Sequence, residues 1–359
     1  SFLGIFISPN RKGFVIDFFR IFSYFALLWV TREIITSKNV KFFITTFFCA
    51  SIVPVIVGTY QIIFRKGLVQ FGKFNRIFAT FRHPSDYGYF LLIFIITLLV
   101  LWLVYFKRKN KWVFIGIFGL WTLHIFFTFS RMVWIPLLFA LCLLAFLWRK
   151  RLTTYFFVLM FIFIPFSFFF GQQVISRFKV EMTVNEQNIN QEKILGMRVT
   201  GSPASRFRFI KSAVEEFLKS PLLGRGLGFF YYHFSLEKFG FNVETHSYIA
   251  KLLCETWIIG TFLFLYSFYK IFLYVWAHYK LTKDALTKSF CLIGAVLLGT
   301  KLMQSCFDAS LRLADVEFYW WVCLGIVLGL IKLDKKPSST NLWNSFWNFS
   351  PLSNWPFRE

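Results

Sequence analysis

His246 is the sharpest candidate for chemistry in this sequence. It lies in the run Glu244-Thr-His-Ser-Tyr248, two residues after Glu244 and at the head of a long apolar segment. An imidazole in that position can serve as general base toward a hydroxyl, or bind a phosphate or a sugar. The plain alternative is a structural histidine at an interface. Glu244 is close enough in sequence to orient the ring. Arginines form the second class. Arg206 and Arg208 fall in the first turn of a predicted helix, 203–219, where the helix dipole disfavours cations. An arginine there is more comfortable with an anion bound beside it; Arg206 is read as functional and Arg208 as solvated. Arg131 follows Thr128-Phe-Ser130 between two apolar segments, where a charge is costly unless paired or at work, with headgroup anchoring as the other reading. The run Pro221-Leu-Leu-Gly-Arg-Gly-Leu-Gly228 carries Arg225 in a turn that can cradle phosphate on its backbone amides, or be a tight turn and nothing more.

These residues need a scaffold, and composition says which. Of the 359 residues 57% are hydrophobic and 22% aromatic, and segments of about 18 or more nearly uncharged residues recur along the chain. The expected fold class is an all-α polytopic membrane protein; a β-barrel would alternate in short segments instead. Nine spans are predicted, at 14–31, 42–64, 87–106, 112–129, 132–148, 153–170, 247–276, 289–306 and 318–331. They divide the chain into a six-helix bundle (1–170), a large polar loop (171–246), three further helices (247–332) and a tail (333–359). Within the loop, Ser202 can cap the helix and Pro203 suits its first turn. Phe207, Ile210, Val214, Phe217 and Leu218 form one apolar stripe along it, which fits packing on the membrane surface or over the bundle.

The net charge of +23 would raise nucleic-acid binding in a soluble protein. Here the cations sit mainly in short loops beside spans and set orientation, so nucleic acid is not an expected partner. Lys107–Lys111, Arg149–Arg151, the Lys280/Lys283/Lys288 loop and the Lys332–Lys336 tail share one side, which is taken as cytoplasmic. The loop 171–246, the Ser130-Arg131 turn and the segments 65–86 and 304–317 then face outside. Segment 65–86 departs from the trend. It holds Arg65, Lys66, Lys73, Arg76 and Arg82 with Asp86 as its only acid, so Arg76, Arg82 and the adjacent His83 are assigned to an anionic ligand, with simple solvation as the other reading. The same parity places Ser1 outside and predicts an odd number of earlier spans missing from this chain. The six cysteines are scattered without CxxC spacing, and the external loops hold only Asp308, Asp315 and Glu317 as sparse acids; neither disulfides nor a metal site is expected.

Together the motifs resemble the O-antigen ligase and O-antigen polymerase superfamily of bacterial envelope glycosyltransferases. Arg76-Ile-Phe-Ala-Thr-Phe-Arg-His-Pro-Ser-Asp-Tyr-Gly88 looks like that family's "G/R-x-F-x-x-P-N" element, with Ser85 where Asn is common. Phe127-Thr-Phe-Ser-Arg131 is similar to its "T-x-S-R" element. Ser205-Arg206, the turn 221–228, His246-Ser-Tyr248 and Glu255-Thr-Trp-Ile-Ile-Gly260 follow in the order of its arginine, "P-x-x-G-x-G", "H-N" and "E-x-G-x-x-G" series. Ser247 replaces the usual Asn, and Trp257 a usual Gly. The resemblance covers residues 70 to 265. It implies about twelve helices in a complete member, so three would precede this chain.

The resemblance also implies an activity: transfer of a glycan from a polyprenyl-diphosphate carrier to an acceptor hydroxyl, with no cofactor, nucleotide sugar or metal. The residues matching the functional trio are Arg131, Arg206 and His246; Arg76, Arg82, His83, Arg225 and Glu244 are expected to assist in substrate binding. The acceptor stays open between lipid A core, as for a ligase, and another lipid-linked glycan, as for a polymerase. A rival reading is a transporter of lipid-linked anions. It would need charges at mid-membrane depth, for which Asp17, Arg20 and Lys301 are the candidates.

Overall fold

The computed structural model describes residues 9–70, 74–106, 110–148, 203–220, 224–308 and 314–334. The predicted span 153–170, the first half of the polar loop and most of the tail lie outside the described residues. Six helices in the described part are long and apolar enough to cross a membrane, and two shorter apolar helices accompany them. The expectation of an α-helical, multi-pass membrane protein holds.

α1 runs Arg11–Ile34, a length of about 36 Å at the helical rise and enough for a bilayer core of about 30 Å. The span expected at 42–64 is found at 40–63 as two helical stretches, α2 (Val40–Cys49) and α3 (Ile52–Ile63), that run on through Ala50 and Ser51. Pro54 is tolerated in the first turn of α3, where its missing N–H is not needed. Next comes a feature the all-helical expectation missed. β1 (Leu68–Gln70) and β2 (Phe74–Arg76) form a small antiparallel hairpin, Val69 opposite Asn75, inside the basic 65–86 segment. α4 (Pro84–Val100) continues as a π-helical turn to Tyr105. α5 (Lys111–Phe127) and α6 (Arg131–Trp148) complete this part. α7 (Pro203–Lys219) is the helix predicted in the polar loop. It is followed by the short α8 (Ser235–Phe239) and then by α9 (Tyr248–Leu281), α10 (Ala285–Phe307) and α11 (Ala314–Leu333).

The contacts divide the chain into two compact units. One comprises residues 21–140, 263–302 and 312–359. Its centre is α4, buried over nearly its whole length, as expected of a helix that is apolar all round. Phe94 of α4 stacks on Phe47 of α2 at 4.5 Å between ring centroids. Polar groups within this core satisfy each other. Tyr87 Oη and His124 Nδ1 are 2.5 Å apart, and His124 Nε2 is 3.1 Å from Thr59 Oγ1, tying α4, α5 and α3. Lys301 of α10 and Glu317 of α11 form a fully buried ion pair. Gly325 and Gly329 let α11 approach α1 closely: a Cβ at Gly329 would lie 2.7 Å from that of Ile35.

The other unit comprises residues 1–20, 141–262 and 303–311. Its core is Phe209, Ala213, Phe229, Phe230, Phe234, Val243, Ala250 and Cys254. The start of α1 is fastened to it: Asn10 Nδ2 donates to Tyr232 O at 3.1 Å, and a Cβ on Gly228 would lie 2.7 Å from Gly13 O. Within the same unit, Tyr248 N donates to Asp308 O at 3.2 Å.

α7 buries one side only. The buried face is Phe209, Ser212, Ala213 and Glu216, while Phe207, Val214 and Leu218 of the predicted stripe are exposed. Phe209 and Ala213 bury into the unit core because the aromatic segment 229–239 stacks there, with Phe209 5.1 Å from Phe239.

Candidate active site

Arg206 and His246 belong to the second of these units. Arg206 stands in the first turn of α7. Its Nε and Nη1 are buried and have no hydrogen-bond partner among the described residues. Buried donors left unmade cost about 1–3 kcal/mol each, and more on a charged group, so this arrangement is expensive without a ligand. One turn further, on the same side of the helix, Phe209 is almost wholly buried and its ring lies 6.0 Å from that of His246. The histidine sits in a loop with φ +54°, a left-handed backbone unusual for a residue other than glycine. Thr245 holds that loop: its Oγ1 donates to Ser247 O at 2.6 Å. Ser247 Oγ then accepts from Ala250 N at 3.3 Å, capping the start of α9.

Glu244 faces Lys251 across the start of the helix. Its Oε2 is 3.9 Å from Lys251 Nζ. Lys251, on the first turn of α9, also donates to Asp17 Oδ2 at 3.0 Å and lies 3.9 Å from Glu255 Oε2. Arg20 Nη1 completes the cluster at 2.5 Å from Asp17 Oδ1. Lys251, Asp17 and Glu255 are each 4% exposed or less. The sequence reading named Asp17 and Arg20 and quoted Glu255 within a motif but missed Lys251, whose signal was a Lys and a Glu four apart inside an apolar segment.

The glycine-rich turn docks on a break in α9. Trp257 has φ +61° and ψ −171° inside that helix, a conformation that glycine alone adopts without strain. Around it, Cys254 O accepts from Arg225 N at 3.1 Å and Glu255 O from Gly226 N at 3.0 Å. Glu255 Oε1 accepts from Phe230 N at 3.1 Å. Gly224 makes this fit possible. It has φ +67°, and a Cβ there would lie 2.7 Å from Glu255 O and collide with the Trp257 ring. Gly224→Ala is therefore expected to cost the left-handed penalty of about 1–2 kcal/mol plus that clash. Gly240→Ala, at φ +79° with open space around it, should show the penalty alone. Thermal unfolding of the two variants in detergent checks the difference.

Arg225 leaves this turn toward Glu216, with Nη2 3.3 Å from Glu216 Oε2, and its Nε is buried without a partner among the described residues. Lys219 pairs with the same carboxylate. These three line a cavity of about 670 Å³ together with Phe229, His233, Phe234, Glu237 and Lys238. Its volume is that of a small-ligand site, about 300–1,000 Å³, while its lining is unusually charged. Arg225 lies over the Phe229 ring and Lys238 over the Phe234 ring. Carboxylates, cations and aromatic faces in one cavity suit a polyhydroxylated ligand: the ions take hydroxyls and the rings take C–H faces.

The first unit brings two other motifs together. Ile77 N donates to Phe127 O at 3.1 Å, Arg76 Nε to Thr128 O at 2.8 Å, and Ser85 Oγ is 2.8 Å from Ser130 Oγ. Arg76 is buried and braces the backbone that leads into Arg131. His83 caps α4, its Nδ1 accepting from Ser85 N at 3.2 Å. Arg82 is exposed. Arg131 opens α6; its side chain is outside the described ones. Among the described residues no cluster of three or more His, Cys, Asp or Glu is arranged to hold a metal ion.

The apolar helices, six of them long enough to span a bilayer among the described residues, define a multi-pass membrane protein. Residues 117–265 match the family model described as O-antigen ligase. The matched stretch contains the Thr128–Arg131 motif, both α7 arginines, the glycine-rich turn and His246, and supports membership of the O-antigen ligase superfamily. The 76–88 element lies before it. No curated protein and no solved structure matches the chain.

Proposed function

We propose that the protein transfers a glycan from undecaprenyl diphosphate to an acceptor hydroxyl at the outer face of the bacterial inner membrane, as an O-antigen ligase does. The reading rests above all on Arg206, whose buried Nε and Nη1 await an acceptor one turn from the residue that packs on His246. In the reaction the acceptor oxygen attacks the anomeric carbon, the bond from that carbon to the diphosphate oxygen breaks, and the hydroxyl proton passes to His246. Displacement is direct and inverts the anomeric centre. Negative charge grows on the departing diphosphate, and guanidinium groups stabilise it bidentately. Arg206 and Arg131 have that role, with Arg82 as a helper and Arg76 contributing through the backbone it braces. The cation charge makes a divalent metal unnecessary for the leaving group. The cavity beside Arg225 suits the sugar portion.

A polymerase differs only in its acceptor, a second lipid-linked glycan. The transporter reading is weaker because each mid-span charge it would draw on has an ion partner: Asp17 with Arg20 and Lys251, Lys301 with Glu317.

The test is transfer in vitro from a synthetic polyprenyl-diphosphate oligosaccharide by the purified full-length chain. Product is expected to form undiminished in EDTA, and the acceptor consumed separates ligase from polymerase. Saturable donor binding without product under any acceptor would favour transport. His246→Ala is expected to lower turnover far more than donor affinity; equal losses in both would make the histidine a binder and not a base.

A further inference from the structure

We infer that α7 lies on the membrane surface, with the Phe207–Leu218 stripe seated at the boundary between lipid headgroups and acyl chains. Phe207, Ile210, Val214, Phe217 and Leu218 recur at the helical period on one side of α7. Phe207 is 69% exposed, Leu218 66% and Val214 37%. The helix cannot roll to hide them, because Phe209 and Ala213 on the adjoining face are fixed in the core of their unit, with Ile210 at the edge of the stripe packed against the same core. Leaving so much apolar surface in water costs about 25 cal/mol per Å², and a long apolar face held outward on a polar segment is the mark of a binding surface.

The chemistry of the margins selects the occupant. Arg206 and Lys211 flank the stripe on its two margins, and Arg208 and Lys219 are exposed farther round the helix, against Glu215 as the exposed acid. A narrow apolar stripe edged by excess cations, with an aromatic residue on it, is the pattern of a helix lying in an anionic lipid interface. Acyl chains are within reach of the unit as well: its membrane-spanning segment of α9 turns Ile258, Ile259 and Phe262 outward, each 57–61% exposed. Interfacial seating has a consequence for Arg206. That residue sits one turn before Ile210, at the edge where the stripe meets the buried face, so it is held at the depth of lipid phosphates. The placement follows from exposure and charge and does not depend on the transfer reaction.

The experiment places a fluorescent amino acid at Leu218 of the full-length chain, and separately at Phe207, in vesicles of phosphatidylcholine and phosphatidylglycerol. Glu237, 73% exposed at its side chain, serves as the water-facing control. Lipids brominated on the acyl chains are expected to quench the two stripe positions several-fold more than aqueous iodide does, and the control to show the reverse. Iodide quenching at Leu218 and Phe207 equal to the control would put the stripe in water and overturn the inference. Protection from both quenchers would mean a protein surface covers it, a second copy included, and would overturn it equally.

Discussion

Arg206→Ala is expected to lower glycan transfer by about 10²–10³-fold in turnover, the scale of losing one fixed charge donor to a developing anion. Arg206→Lys should recover little, because a single ammonium cannot replace a planar fork that donates bidentately. The variant has a second signature. Arg206 is a cation in the first turn of α7, with buried Nε and Nη1 unpaired among the described residues, and both features oppose folding when no anion is bound. Arg206→Met should therefore raise the unfolding temperature of the ligand-free protein, by the equivalent of about 1 kcal/mol, while abolishing transfer. Turnover and thermal unfolding measured on the same preparations decide the matter. A destabilised variant would mark the arginine as structural.

The second large effect is on stability alone. Lys251→Met leaves Asp17 and Glu255 buried without the cation that lies between them. Removing one member of a buried ion cluster costs about 3–5 kcal/mol, since Asp17 keeps Arg20 but the Glu255 carboxylate loses the cation beside it. Adding Glu255→Gln should restore part of that loss. The amide oxygen can still accept from Phe230 N, while the stranded carboxylate charge disappears. The two substitutions are then strongly non-additive, which a double-mutant cycle by thermal unfolding would measure. Simple additivity would show that the cluster does not act as a unit.

Much of the membrane architecture was legible because length and apolarity alone define a span. The segment expected at 14–31 is α1, and that at 289–306 is α10. α7 was found to its ends, since Pro203 and the change of composition after Lys219 mark them. Which side of α7 faces inward was not legible. In a soluble protein the more apolar side is the buried one; beside a bilayer both protein and lipid accept apolar surface, and the core took Phe209 and Ala213. The lysine cluster escaped for another reason. Asp17 and Lys251 are separated by 234 positions, and nothing local to either announces the other. The motifs at 76–88 and 127–131 could be quoted separately, but their union through Arg76 Nε and Thr128 O is a fact of tertiary packing. Trp257 was noted as a departure from a usual glycine, and the backbone explains why glycine suits the place.

That same residue turns α9 into a jointed strut. Before Trp257 the helix grips the glycine-rich turn through the Cys254 and Glu255 carbonyls; after it, Ile258, Ile259 and Phe262 face outward. A regular helix would lock those two stretches at a fixed rotation of about 100° per residue. With the break between them, the stretch that shapes the site and the stretch that meets lipid are aimed separately. Substitutions on the outer stretch can follow changes in membrane composition while the geometry around Arg225 stays as it is.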